Sequence, residues 1–360
     1  MSPGHLSPID ASIREIGDFR LESGEVVPDA RIAYRSWGTL NPSATNAVVV
    51  CHALTGSPDV DLWWPALLGP GRAFDPLRDF VICCNVLGSS YGSTGPASLR
   101  PGTDHRWGAD FPATTVADTV RAHRRVLDDL GVRSVRFATG GSLGGMQSLE
   151  WALQDDRVAA VAVVAASARH SAWAIAISDA QRAAIAADPN WCGGHYDPSR
   201  PPAAGLAAAR RMAMCSYRTP QSLGERFGRR RADDGRFEIE SWLDYHGGAL
   251  VQRFDASCYV HLTRTMDSHD IGRGRGGVDR ALASIRIPVL AVSIDSDGLY
   301  PPTEQIEIAE KAPLGELVRL SSPHGHDAFL IEVADLNEQL VLFRGRAAAT
   351  RRRMAEGEAS

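Results

Sequence analysis

The chain lacks any apolar run long enough to cross a bilayer. The longest, residues 158–168, spans eleven residues and suits a buried strand. Its amino terminus, Met1-Ser2-Pro3-Gly4-His5, lacks the basic-then-apolar pattern of a secretory signal. The six cysteines (Cys51, Cys83, Cys84, Cys192, Cys215, Cys258) have neither disulfide nor zinc spacing. Cys83-Cys84 falls within an apolar strand, where packing is its simplest role. These absences point to the reducing cytoplasm and to no metal. Nor is there a surplus of charge: a net −5 exerts no long-range pull on nucleic acid or an anionic membrane. Arg229-Arg230-Arg231 and Arg351-Arg352-Arg353 read as solvated patches. The second lies in an Ala/Glu/Gly-rich tail, residues 346–360, expected to be unfolded, as are residues 1–13.

What is present is a globular composition, 44% hydrophobic and 22% charged, on 360 residues, more than one core usually holds. Apolar strands alternate with helical periods. Residues 47–54, 79–88, 134–139, 158–168, 287–294 and 316–320 read as strands. Residues 115–130, 146–153, 303–311 and 336–343 read as helices. Residues 18–21 and 30–37, around a Ser23-Gly24 turn, predict an antiparallel edge. The alternation predicts an α/β fold with a mostly parallel sheet covered on both faces. From about residue 171 to about residue 278 the rhythm breaks into helix formers, arginine, glycine and Pro201-Pro202. We read that stretch as a helical cap over the carboxyl edge of the sheet, inserted into a core of residues 14–170 and 279–345.

Gly140-Gly141-Ser142-Leu143-Gly144-Gly145 stands between a strand and a helix, the order of a nucleophile elbow. The backbone doubles back there, so the serine needs neighbours without side chains and its hydroxyl must stand clear. A hydroxyl attacks poorly until a base takes its proton. In this fold the acid and then the histidine follow the serine. Asp295-Ser296-Asp297 closes one downstream strand, and His324-Gly325-His326-Asp327 follows the next. Spacing leaves Asp295 against Asp297, and His324 against His326, undecided, because residues two apart share a face. The oxyanion donors expected of this fold are the N–H of Leu143, after the serine, and that of Leu54 in His52-Ala53-Leu54-Thr55-Gly56. His52 precedes the serine, out of order for a base, and is assigned a structural part.

The oxyanion loop and the elbow belong to a longer set of segments. It includes Trp63-Trp64 with Leu68-Gly69-Pro70-Gly71-Arg72, and Asn85-Val86-Leu87-Gly88 with Gly92-Ser93-Thr94-Gly95-Pro96. It continues with Gly205-Leu206-Ala207-Ala208-Ala209-Arg210, Arg226-Phe227-Gly228-Arg229, Ser296-Asp297-Gly298-Leu299-Tyr300-Pro301 and Gly325-His326-Asp327-Ala328-Phe329-Leu330. Over roughly residues 14–345 the chain resembles the homoserine O-acetyltransferase family of α/β-hydrolase-fold acyltransferases. The resemblance implies that Ser142 carries the acyl group, with Asp297 as acid and His326 as base. It implies that Arg210, rather than its neighbour Arg211, grips the amino-acid carboxylate and Asp327 the ammonium, a fork on a carboxylate and an anion on a cation. Acetyl-CoA and L-homoserine are the implied substrates, in a ping-pong step of methionine biosynthesis that needs no cofactor, by a homodimer formed through the caps. The chain departs from the family at Leu143, where methionine is common, at Gly88-Ser89-Ser90-Tyr91-Gly92, where a glycine-cysteine pair is usual, and in the short Gly56-Ser57-Pro58-Asp59-Val60. Alternatives on the same fold are a succinyl donor, a serine acceptor, or a Ser-His-Asp esterase.

Overall fold

The apolar runs form the interior of an eight-stranded sheet in the computed structural model, which describes residues 11–355. β1 (Ser12–Arg20) and β2 (Val26–Trp37) make the antiparallel edge. β3 (Ala47–Cys51), β4 (Phe80–Cys84), β5 (Val135–Gly141), β6 (Val161–Val164), β7 (Val289–Ile294) and β8 (Gly315–Leu320) run parallel, in the order β1-β2-β4-β3-β5-β6-β7-β8. Every residue of β3, β4, β6 and β7 is buried, as a sheet covered on both faces requires. Alternate residues feed the two faces: Val49, Ile82, Ala138, Val163 and Ala291 go to one core, and Val48, Val81, Phe137, Val164 and Val292 to the other.

α1 (Val60–Trp63) is a single turn, whereas α2 (Val116–Asp129) starts on a capping box, its Thr115 side chain accepting from the Asp118 N–H. α2 and α3 (Leu143–Gln154) cover the first face through Val120, Val126, Leu149 and Trp151. Between β6 and β7 the described chain is helical: α4 (Ala172–Ala186), α5 (Ala203–Tyr217), α6 (Pro220–Phe227), α7 (Glu238–Val251) and α8 (Ala256–Asp267). α9 (Val278–Ser284) leads back to β7, and α10 (Pro302–Lys311) and α11 (Ala328–Ile331) flank the last strand.

The second face is closed by α12 (Val333–Ala355), through Leu336, Leu340, Phe343 and Ala347. This corrects the expected tail, because residues 346–355 continue the helix instead of being unfolded. Apolar contact persists to Ala347, and two ion pairs hold the helix down: Arg344 to Asp79 at 2.8 Å and Arg346 to Glu316 at 2.6 Å. At the other end β1 already includes Ser12 and Ile13, which the expected first tail contained; the remainder of both tails, residues 1–10 and 356–360, lies outside the described residues. No helix among the described residues is long and apolar enough to cross a membrane.

Candidate active site

β5 runs out at Gly141, and the chain turns at Ser142 with φ 58° and ψ −123° before α3 begins. Such a conformation for a residue with a side chain costs on the order of 1–3 kcal/mol and persists only where its surroundings enforce it. Close packing on both sides enforces it, and only the neighbouring glycines permit that packing. A Cβ on Gly140 or on Gly144 would strike the Cys51 carbonyl oxygen at the end of β3, and one on Gly141 would lie 2.6 Å from the Phe329 ring. The turn is therefore wedged between β3 and α11, with Ser142 only 6% exposed.

The structure separates the candidates that spacing left undecided. His326 Nδ1 donates to Asp297 Oδ2 at 2.7 Å, in a pair 3% and 4% exposed. The other Asp297 oxygen accepts the N–H groups of Leu299 at 2.8 Å and Tyr300 at 2.9 Å, so the carboxylate cannot swing away. Asp295 instead braces the turn after β8, accepting from Ser321 Oγ at 2.7 Å and the Ser322 N–H at 3.0 Å. His324 bonds Ser222 of α6 at 2.8 Å, away from either carboxylate. The rings of Tyr300, Phe329 and Tyr217 enclose the His326 imidazole at 5.1, 5.4 and 5.6 Å. Phe329 thus touches both the imidazole and the turn that carries Ser142.

Leu143 is the first residue of α3, where a backbone N–H has no partner within the helix. The Leu54 N–H likewise donates no bond among the described residues. His52 anchors the loop that presents Leu54. Its Nε2 accepts the Val86 N–H at 3.0 Å, so Nδ1 carries the proton and donates to the Ala53 carbonyl at 2.8 Å. Burial pushes its pKa down to about 4, and a histidine so bonded has no lone pair to spare as a base.

On α5 the two arginines part company. Arg211 pairs with Asp244 on an exposed face. Arg210 turns the other way, its guanidinium 5.5 Å from the Tyr217 ring and without a carboxylate within ion-pair distance among the described residues. Asp327 is largely buried, which raises its pKa, and it faces Arg218 Nε at 3.0 Å. Among the described residues no group of three His, Cys, Asp or Glu could hold a metal ion.

Residues 46–333 match the family model for the alpha/beta hydrolase fold. The chain is 52% identical over 325 residues to the homoserine O-acetyltransferase of Chloroherpeton thalassium, covering 90% of this chain and 86% of that protein. It is 53% identical over 332 residues to that of Salinibacter ruber, covering 90% and 94%. It belongs to the homoserine O-acetyltransferase family. Among solved structures, the Staphylococcus aureus homoserine O-acetyltransferase is similar with a TM-score of 0.76 at 28% identity, over 92% of this chain and 94% of that one. Esterase E22 shares the fold, with a TM-score of 0.86 at 24% identity over 93% and 99%.

Two of the departures leave the frame of the site intact. Leu143 is buried and offers the backbone N–H that any residue there would. Gly88, at φ 93°, packs on the His261 ring so closely that a side chain would collide. Sequence reasoning missed three residues at the site. Tyr217 and Arg218 close α5 over the His326 turn, and Arg253 donates to the Thr55 carbonyl at 2.6 Å and to the Tyr91 hydroxyl, tying the insert to the oxyanion loop. No spacing rule marks them, because they reach the site through contacts between the insert and the sheet.

Proposed function

We propose that this chain moves an acetyl group from acetyl-CoA to the side-chain hydroxyl of L-homoserine, giving O-acetyl-L-homoserine and CoA for methionine biosynthesis. His326 Nε2 takes the Ser142 proton as Oγ attacks the thioester carbonyl, and the oxyanion rests on the Leu54 and Leu143 N–H groups. The C–S bond breaks, CoA leaves with the proton from His326, and acetyl-Ser142 remains. Homoserine then enters with its carboxylate on Arg210 and its ammonium on Asp327. His326 takes the proton of its hydroxyl as that oxygen attacks the ester, and returns it to Ser142 Oγ as the second tetrahedral intermediate collapses. The route is ping-pong.

One observation carries the reading. The buried Asp297–His326 pair lies under an insert that offers Arg210, a cation without a carboxylate partner among the described residues, while Asp327 adjoins His326 itself. A hydrolase needs only the pair; an amino-acid acceptor needs both charges. Water competes for acetyl-Ser142, so transfer requires the insert to exclude it and hold the acceptor close. CoA is here a substrate, and no other cofactor enters. The test is CoA release with and without homoserine, serine or no acceptor, and with acetyl- or succinyl-CoA. Turnover that requires homoserine and prefers the acetyl donor supports the reading. Steady thioester hydrolysis without an acceptor favours the esterase alternative. The reading extends to a cytoplasmic homodimer joined through the inserts, where Trp173, Met212 and Tyr245 are exposed.

A further inference from the structure

The junction between α5 and α6 is latched to the turn that carries His326. Thr219 Oγ1 donates to the Pro323 carbonyl, Ser222 bonds His324 at 2.8 Å, and a Cβ on Gly325 would lie 2.9 Å from the Tyr217 carbonyl. At the centre of this latch, Arg218 Nε lies 3.0 Å from Asp327 Oδ2, with both side chains largely buried. The guanidinium is held in turn by the Trp242 ring, 6.0 Å away, in the small apolar cluster of Met214, Phe227 and Trp242. Arg218 Nε makes no hydrogen bond of good geometry among the described residues, so its hold on Oδ2 is that of a close ion pair, and the other oxygen, Oδ1, carries no hydrogen bond there either. Two arginines therefore flank the carboxylate, and their tasks differ: Arg218 is engaged with it, whereas Arg210 has no carboxylate within ion-pair distance.

We propose that Arg218 is a positioning residue for acceptor selection: it holds Asp327 through Oδ2, so that Oδ1 receives the substrate ammonium and Arg210 stays free for the substrate carboxylate. This rests on the acetyl-transfer reading and adds to it the reason the site would discriminate for an amino group. A carboxyl buried as Asp327 is would otherwise take up a proton, and a neutral acid attracts an ammonium poorly. Without Arg218, the other charged groups facing Asp327 are His326 and Arg210, neither of which lies within ion-pair distance of it. Arg218 touches no reacting atom and acts only through Asp327.

The experiment compares kcat/KM for homoserine with that for 4-hydroxybutyrate, the same acceptor without its ammonium. Arg218→Gln is expected to raise the homoserine KM at least tenfold while changing the 4-hydroxybutyrate value less than threefold, collapsing the preference between them. Because the lost charge also lets Asp327 protonate more readily, the homoserine KM of the variant should improve more steeply with rising pH than that of the parent. Arg218→Lys keeps the charge without the planar guanidinium that lies over Trp242, and should lower the preference only a few-fold. It serves in place of Arg218→Gln should that variant fail to fold. An equal loss for both acceptors, or an Arg218→Lys preference equal to the parent's, overturns the proposal and leaves acetyl transfer standing. A parent that acetylates neither acceptor overturns both.

Discussion

The sheet and the insert meet at one imidazole but are built on different principles. The sheet holds its reactive groups in a nearly dry interior. Ser142 sits on a turn that its glycines permit, and Asp297 receives two backbone N–H groups besides His326. The insert helices pack on one another, burying Ile185, Leu206, Ala209 and Leu250 in the main core and Met214, Phe227 and Trp242 in a small cluster apart from it. What the insert brings to the site is charge, Arg210 and Arg218, each set against an aromatic face, Tyr217 and Trp242. On the proposed function the difference is a division of labour: chemistry depends on the frame of the sheet, whereas acceptor choice depends on charged side chains of the insert that can change without disturbing it.

The largest effect should come from the frame. Ser142→Ala removes the group that both half-reactions share, and transfer should fall by about 10⁵–10⁶-fold with the circular dichroism spectrum unchanged. Substantial residual turnover would mean that no acetyl-serine forms. Next comes the recognition layer. Arg210→Ala should raise the homoserine KM roughly 100-fold, the size of a lost charge-assisted fork of about 3 kcal/mol, in steady-state assays at saturating acetyl-CoA. If kcat with acetyl-CoA saturating and homoserine in excess collapses instead, the two layers are not separable.

A third comparison concerns stability. Trp242→Ala should destabilise the insert by roughly 3 kcal/mol, as truncating a buried aromatic does, and native-state hydrogen exchange should show α6 and α7 opening before any strand of the sheet. Uniform loss of protection in both layers would contradict their independence. The smallest effect lies where the layers touch. Burial beneath the insert, with the charges of Asp297 and Glu307 adding to it, pushes the Glu304 pKa up to about 7. The folded chain then binds a proton that the unfolded chain has released, so stability falls as pH rises from about 4.5 through 7. Glu304→Gln should flatten that slope by roughly 1–2 kcal/mol after allowance for solvent screening, read from urea midpoints at pH 5 and 8.

The same contrast governs what could be read from the residues alone. Continuous apolar runs announce β3, β4 and β7, and the helical period of residues 115–130 announces α2. Boundaries are not legible where burial extends past the strand. Residues 158–168 are one apolar stretch, yet only Val161–Val164 pair as β6, and the buried residues on either side turn into loops. The elbow was visible because its glycines answer a local steric demand. The choice of Asp297 over Asp295 was not visible in spacing; it follows from which carboxylate meets the imidazole and which braces Ser321 and Ser322. Arg218 and Arg253 left no trace, since helices of the insert follow no register that would aim their side chains at the sheet.

The division of labour is tested most directly by rapid-quench mass spectrometry of Ser142 acetylation in the parent and in Arg210→Ala, first with acetyl-CoA alone and then after adding homoserine. The account predicts that the acetyl adduct forms on Ser142 in both proteins at rates within a few-fold, and that homoserine discharges it rapidly only in the parent. An adduct absent from the parent, or slowed in the variant as much as its discharge is, would contradict it.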